Sequence, residues 1–581
     1  MTRTTRSILA AAAVSFLGAA LQAQGDLGLD RALQPEPPKQ DRYLVKLPPR
    51  EVVEGSPTPR SGRVILFFLR DDARAAGREP MDGPFFERLQ PIASVSLEGV
   101  SDDLLVIDDR NATVFGGPLD LLDGAWRVQA VLDQDFTERG FRGPGNRASE
   151  PTAIDRAPDS AEETVLELTR TIADESPPAH PKVEWIERRS ALLSAHFRRE
   201  VVMRAGIVRP FGYDDLSFPR RMWPTVYVVP GFGGTREMAA QQADGLASRS
   251  ARDAVPQAVW VFLDAETPWG HHGFCDSETN GPVGRALVEE FIPFLEERMR
   301  LVAKPEARLV TGHSSGGWTA IHLALAYPDT FGACFASAPG PVDFTAFQRT
   351  DLYRDKSFFT GKDGAETPSY RGILGPNDDR VFMTVRDEMA TERALDPDGR
   401  SGQQWDAWEA MWSPFDPARN APRPICDPET GDIDLVVAEE WTRHDIARRV
   451  ERDGGRTARL VAERVRLLCG TRDSFYLNEA VARLKAKVEA WQARERAAGR
   501  AAPAGPGFIE LVEGHDHGSI TPLARIRFHQ EMLAHLRAHG LADRAPSAAP
   551  EETGLPGAEP VSPPVRDARP AEQPRERAQG L

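Results

Sequence analysis

The chain has 581 residues, with 71 basic and 87 acidic side chains and a formal net charge of −16. That length exceeds one hydrophobic core and points to two folded domains with tails. Its basic residues are scattered rather than clustered, which argues against nucleic acid or an anionic membrane surface as a partner, so the acidity reads as a solvated surface.

Met1-Thr2-Arg3-Thr4-Thr5-Arg6 is a basic start, Ile8 to Leu21 is apolar and alanine-rich, and Ala20 or Ala23 offers a small-residue cleavage position. Residues 1–23 therefore read as an export signal, too short for a lasting membrane span. The expected location is periplasmic or secreted, with no membrane span after cleavage. Residues 24–40 are Pro-rich and read as an extended linker.

Residues 41–185 read as all-β. Ala93, Val95 and Leu97 alternate with Ser94, Ser96 and Glu98, and Trp126, Val128, Ala130 and Leu132 alternate with Arg127, Gln129 and Asp133. The unbroken apolar run Val64 to Leu69 and turn formers such as Gly116-Gly117-Pro118 complete the pattern of a β-sandwich. No catalytic constellation stands out within it.

From 186 to 541 strands alternate with helices. Val201 to Met203 and Ile207-Val208 read as early antiparallel strands, while Val226 to Val229 and Val259 to Leu263 read as buried parallel strands. Further strands are expected at Leu309-Val310, Ala333 to Ala336, Val465 to Leu468 and Phe508 to Val512, with a closing helix from Arg525 to His539. The expected fold class is α/β, a doubly wound sheet with helices on both faces. Residues 345–460, polar and carrying Trp405, Trp408, Trp412 and Trp441, interrupt the alternation as an inserted cap. Residues 542–581 are Pro/Ala/Glu/Arg-rich and read as a disordered tail.

The richest chemistry lies in Gly312-His313-Ser314-Ser315-Gly316, which follows an apolar strand and precedes a helix-forming segment. That order is a nucleophile elbow, where flanking glycines avoid clashes and the helix N-terminus aims N–H groups at a developing oxyanion. Ser314 is thus the candidate nucleophile. A serine hydroxyl needs a base and an orienting acid, in the chain order Ser, acid, His. Asp473, in the loop after Val465 to Leu468, is the expected acid, with Asp343 as runner-up. His515 and His517, in Gly514-His515-Asp516-His517-Gly518, are the two candidate bases. A metal reading of that loop would need His271, His272 and Asp276 as further ligands. The oxyanion hole is expected between Ser315 and the turn Pro230-Gly231-Phe232-Gly233-Gly234. Cys275, Cys334, Cys426 and Cys469 allow two disulfides in an exported chain, although Cys334 and Cys469 sit in strand-like apolar runs that suit buried thiols.

Trp223 to Gly234, Gly312 to Gly317 and Glu513 to His517 together resemble the esterase D-like putative esterases, an α/β-hydrolase family. That family includes S-formylglutathione hydrolases, enterochelin and feruloyl esterases and mycolyltransferases. The resemblance covers roughly residues 190–345 and 462–540, and leaves out the β-rich region, the insertion and the tail. It implies an oxyanion hole from the N–H groups of Phe232 and Ser315. The resemblance favours His517 as the base, by alignment with the formylglutathione branch, with His515 as the alternative by alignment with the enterobactin branch. The resemblance also places His271, His272 and Asn280 in a substrate-side loop. The implied activity is serine carboxylic-ester hydrolysis through an acyl-enzyme, on a small-molecule or carbohydrate-linked ester, with no cofactor and no metal. Acyl transfer by the same triad and an inactive binding protein on the same fold are the alternatives.

Overall fold

The computed structural model describes residues 40–542 except 51, 54–55, 59, 86, 138–139, 158–160, 175, 216–218, 251–253, 376 and 501–504. Apart from residues 40 and 542, the expected signal, linker and tail lie outside the described residues. The described residues fall within one compact unit.

The N-terminal part is a sandwich. Its larger sheet runs, in spatial order, Arg170–Thr171, Arg147–Ala148, Gly124–Asp133, Arg60–Arg70, Ile92–Val100 and Thr113–Phe115, with Thr152–Arg156 also paired to Gly124–Asp133. The smaller one runs Glu163–Glu167, Arg42–Lys46, Leu104–Ile107. Val64, Leu66 and Phe68 meet Tyr43, Val45 and Ile107 in the core between the sheets. Ile65 and Phe67 point the other way and are equally buried, against Met81, Phe141 and, from the cap, Ala394 and Leu395. A strand covered on both faces has no solvent side to fill with polar residues, which is why Val64 to Leu69 reads as one apolar run.

The second sheet has eight strands among the described residues: β1 (Val183–Arg189), β2 (Val202–Val208), β3 (Thr225–Val229), β4 (Val259–Leu263), β5 (Arg308–His313), β6 (Ala333–Ser337), β7 (Val465–Gly470) and β8 (Phe508–Val512). Their spatial order is 1-2-4-3-5-6-7-8. Strand β2 is antiparallel to both neighbours and the other pairings are parallel. This is the doubly wound α/β-hydrolase sheet. The expected pair of short strands at 201–203 and 207–208 is one strand, β2. Gly206 interrupts its apolar sequence because a Cβ there would stand 2.6 Å from the Ala239 Cβ and 2.7 Å from the Trp185 ring. Its partner β1 crosses the expected border at residue 186.

Helices α1 (Met238–Ser250) and α2 (Ser315–Ala326) follow β3 and β5. Between β6 and β7 the chain forms the cap: a hairpin (Pro368–Gly375 with Asp378–Thr384), α3 (Val385–Leu395), α4 (Gln404–Trp412) and three further α-helices. Helices α5 (Leu477–Ala497) and α6 (Ile520–Ala538) complete the fold. Ala239, Ala243 and Leu246 of α1 join Phe528, Met532 and Leu536 of α6 on one face of the sheet. Ile321, Leu325, Val481 and Leu484, from α2 and α5, cover the other. Trp405, Trp408, Trp412 and Trp441 cluster with Phe347 inside the cap, and Trp412 meets Trp318 of α2 with ring centroids 5.1 Å apart. The cap core is thereby continuous with the helix that starts at the elbow.

Candidate active site

Ser314 stands between β5 and α2 at φ 58°, ψ −126°, a strained conformation for a residue with a side chain. The strain is built in by its neighbours. A Cβ at Gly312 would lie 2.2 Å from the Gly316 carbonyl oxygen, and one at Gly316 would lie 2.3 Å from that of Val229. Strand β5 and helix α2 can join this tightly only through glycine. The Ser314 N–H donates to the Ser337 carbonyl at 3.0 Å, and Gly340 N–H donates back to Ser314 O at 2.9 Å, which fixes the turn to β6.

Ser315 is the first residue of α2, so its N–H has no helical acceptor. The turn after β3 closes by Gly234 N–H to Gly231 O at 3.0 Å, with Gly233 at φ +78°. Positive φ at the third residue requires glycine in this turn type. It presses the turn on the elbow, since a Cβ on Gly231 would come 3.2 Å from the His313 carbonyl oxygen.

Asp473 is fully buried in the loop after β7. Its Oδ1 accepts from Phe475 N–H (2.9 Å) and Leu477 N–H (3.2 Å), which starts α5, and its Oδ2 lies 2.8 Å from His517 Nδ1. Arg472 turns away, to the Gly375 carbonyl and Asp379. The His517 ring is wedged between His313, 4.5 Å between centroids, and the edge-on Phe475 ring at 4.9 Å. Burial, with the His517 charge as a lesser cause, pushes His313 down to about 3, so it stays neutral beside its partner.

His515 is held elsewhere. Its Nδ1 lies 3.1 Å from the Ser519 carbonyl, and its own carbonyl accepts from Arg472 N–H. Asp343, the runner-up acid, is occupied by Thr345 through Oδ1 and by Lys487 at 3.0 Å through Oδ2.

A cavity of about 290 Å³ opens beside Ser314 and His517, bordered by Phe232 and Ser315 and walled on the cap side by Gln348, Glu388, Gln404 and Trp408. His271, His272 and Asn280, expected on the substrate side, do not line it; all three are buried. His271 Nε2 donates to the Pro230 carbonyl at 2.9 Å while its Nδ1 accepts from Gly273 N–H at 3.0 Å, so it braces that turn. The Asn280 carbonyl oxygen accepts from the Thr267 hydroxyl at 3.3 Å. His272, through Phe274 N–H, and Asn280 bond within the segment that follows β4. The cap residues that do line the cavity carry no signature: Gln404 and Trp408 lie one turn apart on a helix most of whose residues are buried.

All four cysteines are free and buried, so neither of the two disulfides that their number allows is formed. Among the described residues no group of three His, Cys, Asp or Glu side chains is arranged to hold a metal ion, and no helix is long and apolar enough to cross a membrane.

The family model described as "Putative esterase" matches residues 202–517, more than half of the chain. The chain belongs to that family. It is an esterase on an α/β-hydrolase fold. Among curated proteins, the uncharacterized protein YbbA of Bacillus subtilis (strain 168) is 28% identical over 182 residues, which cover 29% of this chain and 64% of that protein. A solved ferulic acid esterase is 15% identical over 60% of this chain and 98% of its own, at a TM-score of 0.35. An S-formylglutathione hydrolase from Agrobacterium tumefaciens is 14% identical over 63% and 98%, at 0.31.

Proposed function

We propose that this esterase is an exported serine hydrolase in which Ser314, His517 and Asp473 form the catalytic triad and the reaction passes through an acyl-enzyme. The observation that carries this reading is the 2.8 Å contact of His517 Nδ1 with buried Asp473, beside the cavity that Ser314 enters from a strained elbow. Ser314 Oγ attacks the ester carbonyl carbon and its proton passes to His517 Nε2. The N–H groups of Phe232 and Ser315 hold the oxyanion. Collapse breaks the bond to the alcohol, which leaves with the proton from His517. Water then attacks the acyl-enzyme by the same route and frees Ser314. Asp473 keeps the proton of the resting imidazole on Nδ1, so that Nε2 is the basic nitrogen. The substrate is a small-molecule or carbohydrate-linked ester, and the signal-like residues 1–23 support export.

A fluorophosphonate probe tests the reading. The purified enzyme should be labelled covalently at Ser314, and Ser314→Ala should lose both the label and ester turnover. A label that persists in Ser314→Ala would place the nucleophile elsewhere.

A further inference from the structure

The cap side of the cavity carries more polar groups than a wall for a plain acyl chain would need. Glu388, on α3, is only 5% exposed and its Oε2 accepts from the Ser369 hydroxyl. Burial pushes its carboxyl above the usual carboxylate range. Gln404, at the start of α4, has its carbonyl oxygen held by the Ser315 hydroxyl at 3.3 Å, beside the nucleophile. Its amide nitrogen is buried with no partner among the described residues. A buried donor without an acceptor is costly unless a ligand oxygen completes it.

Gln348 adds an independent sign. It is 3% exposed and lies with Arg349 in a turn closed by Phe347 N–H to Thr350 O at 2.8 Å and Thr350 N–H to Phe347 O at 2.9 Å. Both central residues have positive φ, 43° and 72°. Asparagine and glycine suit such a turn; glutamine and arginine are unfavourable there. Strain of this kind gathers where a side chain must be held for a ligand.

We infer that Gln404 and Glu388 form a subsite for a hydroxyl group on the part of the ester that enters this cavity, so that the enzyme selects small hydroxylated groups over alkyl ones. The inference rests on the triad reading above. A hydroxyl meets both cap groups at once: its oxygen accepts from the Gln404 amide and its proton goes to a Glu388 oxygen. An ether or carbonyl oxygen would meet Gln404 alone. An alkyl chain would leave the amide unpaired, and a carboxylate would face Glu388. At about 290 Å³ the cavity is at the small end of ligand pockets, which suits a short or single-ring group.

The test is kcat/KM of the full-length enzyme on two matched ester pairs. In the first, 4-nitrophenyl butyrate against 4-nitrophenyl 3-hydroxybutyrate, the hydroxyl is on the acyl side. In the second, butyl acetate against glyceryl monoacetate, it is on the alcohol side. The wild type should favour the hydroxylated member of one pair about tenfold or more, because a site built for a hydroxyl penalises the analogue that lacks it. Gln404→Met and Glu388→Gln should each bring that ratio towards one. Ratios near one in both pairs would overturn the subsite, even if neither variant folds. A preference that survives in both variants would overturn it as well. Loss of fluorophosphonate labelling in the wild type would instead strike the triad reading, which keeps the two failures apart.

Discussion

His517 Nδ1 stands 2.8 Å from Asp473 Oδ2, across the gap between the loops that follow β7 and β8. The aspartate is fully buried and the histidine side chain is 13% exposed, so one end of the pair is anchored and the other faces the cavity. Because Oδ1 is already committed to two backbone N–H groups, the carboxylate cannot rotate away from the imidazole.

Asp473→Asn should therefore lower kcat on an activated ester by about three to four orders of magnitude, through the wrong imidazole tautomer. His515→Ala should cost far less, since its ring nitrogen meets the Ser519 carbonyl rather than Asp473. Steady-state kinetics of the two variants, with melting curves to verify folding, check this. A larger loss in His515→Ala would reverse the assignment of the base.

Glycine positions should part sharply. At Gly316 an added methyl meets backbone oxygens of Val229 and Pro230 at 2.3 and 2.5 Å, which cannot yield. Gly316→Ala should destabilise by about 3 kcal/mol or more, at the upper end of overpacking costs. Inside α1, a Cβ at Gly245 meets only the flexible guanidinium end of Arg249, at 3.3 Å. Gly245→Ala should stabilise by about 0.5–1 kcal/mol through helix propensity. Denaturant titrations read both, and equal signs would contradict the packing described.

The elbow was legible because its signature is local: strand, glycine, serine, glycine and helix lie within one stretch of chain. The placement of Asp473 was legible for the same reason, as a carboxylate just past an apolar strand. Which of His515 and His517 meets Asp473 was not legible from pattern, because a two-residue shift in a loop changes neither composition nor period; the family resemblance alone favours His517. His271, His272 and Asn280 do not line this cavity, and a polar, Gly-rich loop looks alike in sequence whether its side chains face a cavity or turn inward. The cap wall was invisible: Gln348, Glu388 and Gln404 come from three separate elements, and only their packing brings them together. The joint between sandwich and cap was hidden too, as the buried outer face of Arg60–Arg70 depends on Ala394 and Leu395, more than 300 residues away.

Arg63 should act as the pin of that joint. It is 4% exposed and pairs with Asp133 of the sandwich at 2.7 Å and with Asp396, which ends α3. Removing one partner from a buried pair strands the other charges. Arg63→Met should therefore destabilise by about 3 kcal/mol or more. A fragment starting at residue 186 both severs β1 and uncovers Ala394 and Leu395, so it should not fold alone. Denaturant titration of the variant and the solubility of the fragment are the measurements. An unchanged midpoint in Arg63→Met would mean that the joint is held by the apolar contacts alone.

Acid lability should follow from His272. It is 7% exposed, its Nδ1 must accept from Phe274 N–H at 3.0 Å, and burial lowers its pKa to about 3. An unfolded histidine titrates near 6.5, so between the two values the unfolded chain binds the extra proton. Stability is then fully present above about 6.5 and is lost as pH falls towards about 3. From pH 6.5 to pH 5 this one residue should take away about 2 kcal/mol, at about 1.4 kcal/mol per pH unit. His272→Asn keeps an acceptor for Phe274 N–H but cannot titrate, so its stability should fall less over the same interval. Denaturation midpoints of both proteins at pH 7, 6 and 5 decide the matter. Parallel curves would mean that His272 reaches water, or finds an acceptor for its proton, before the fold gives way.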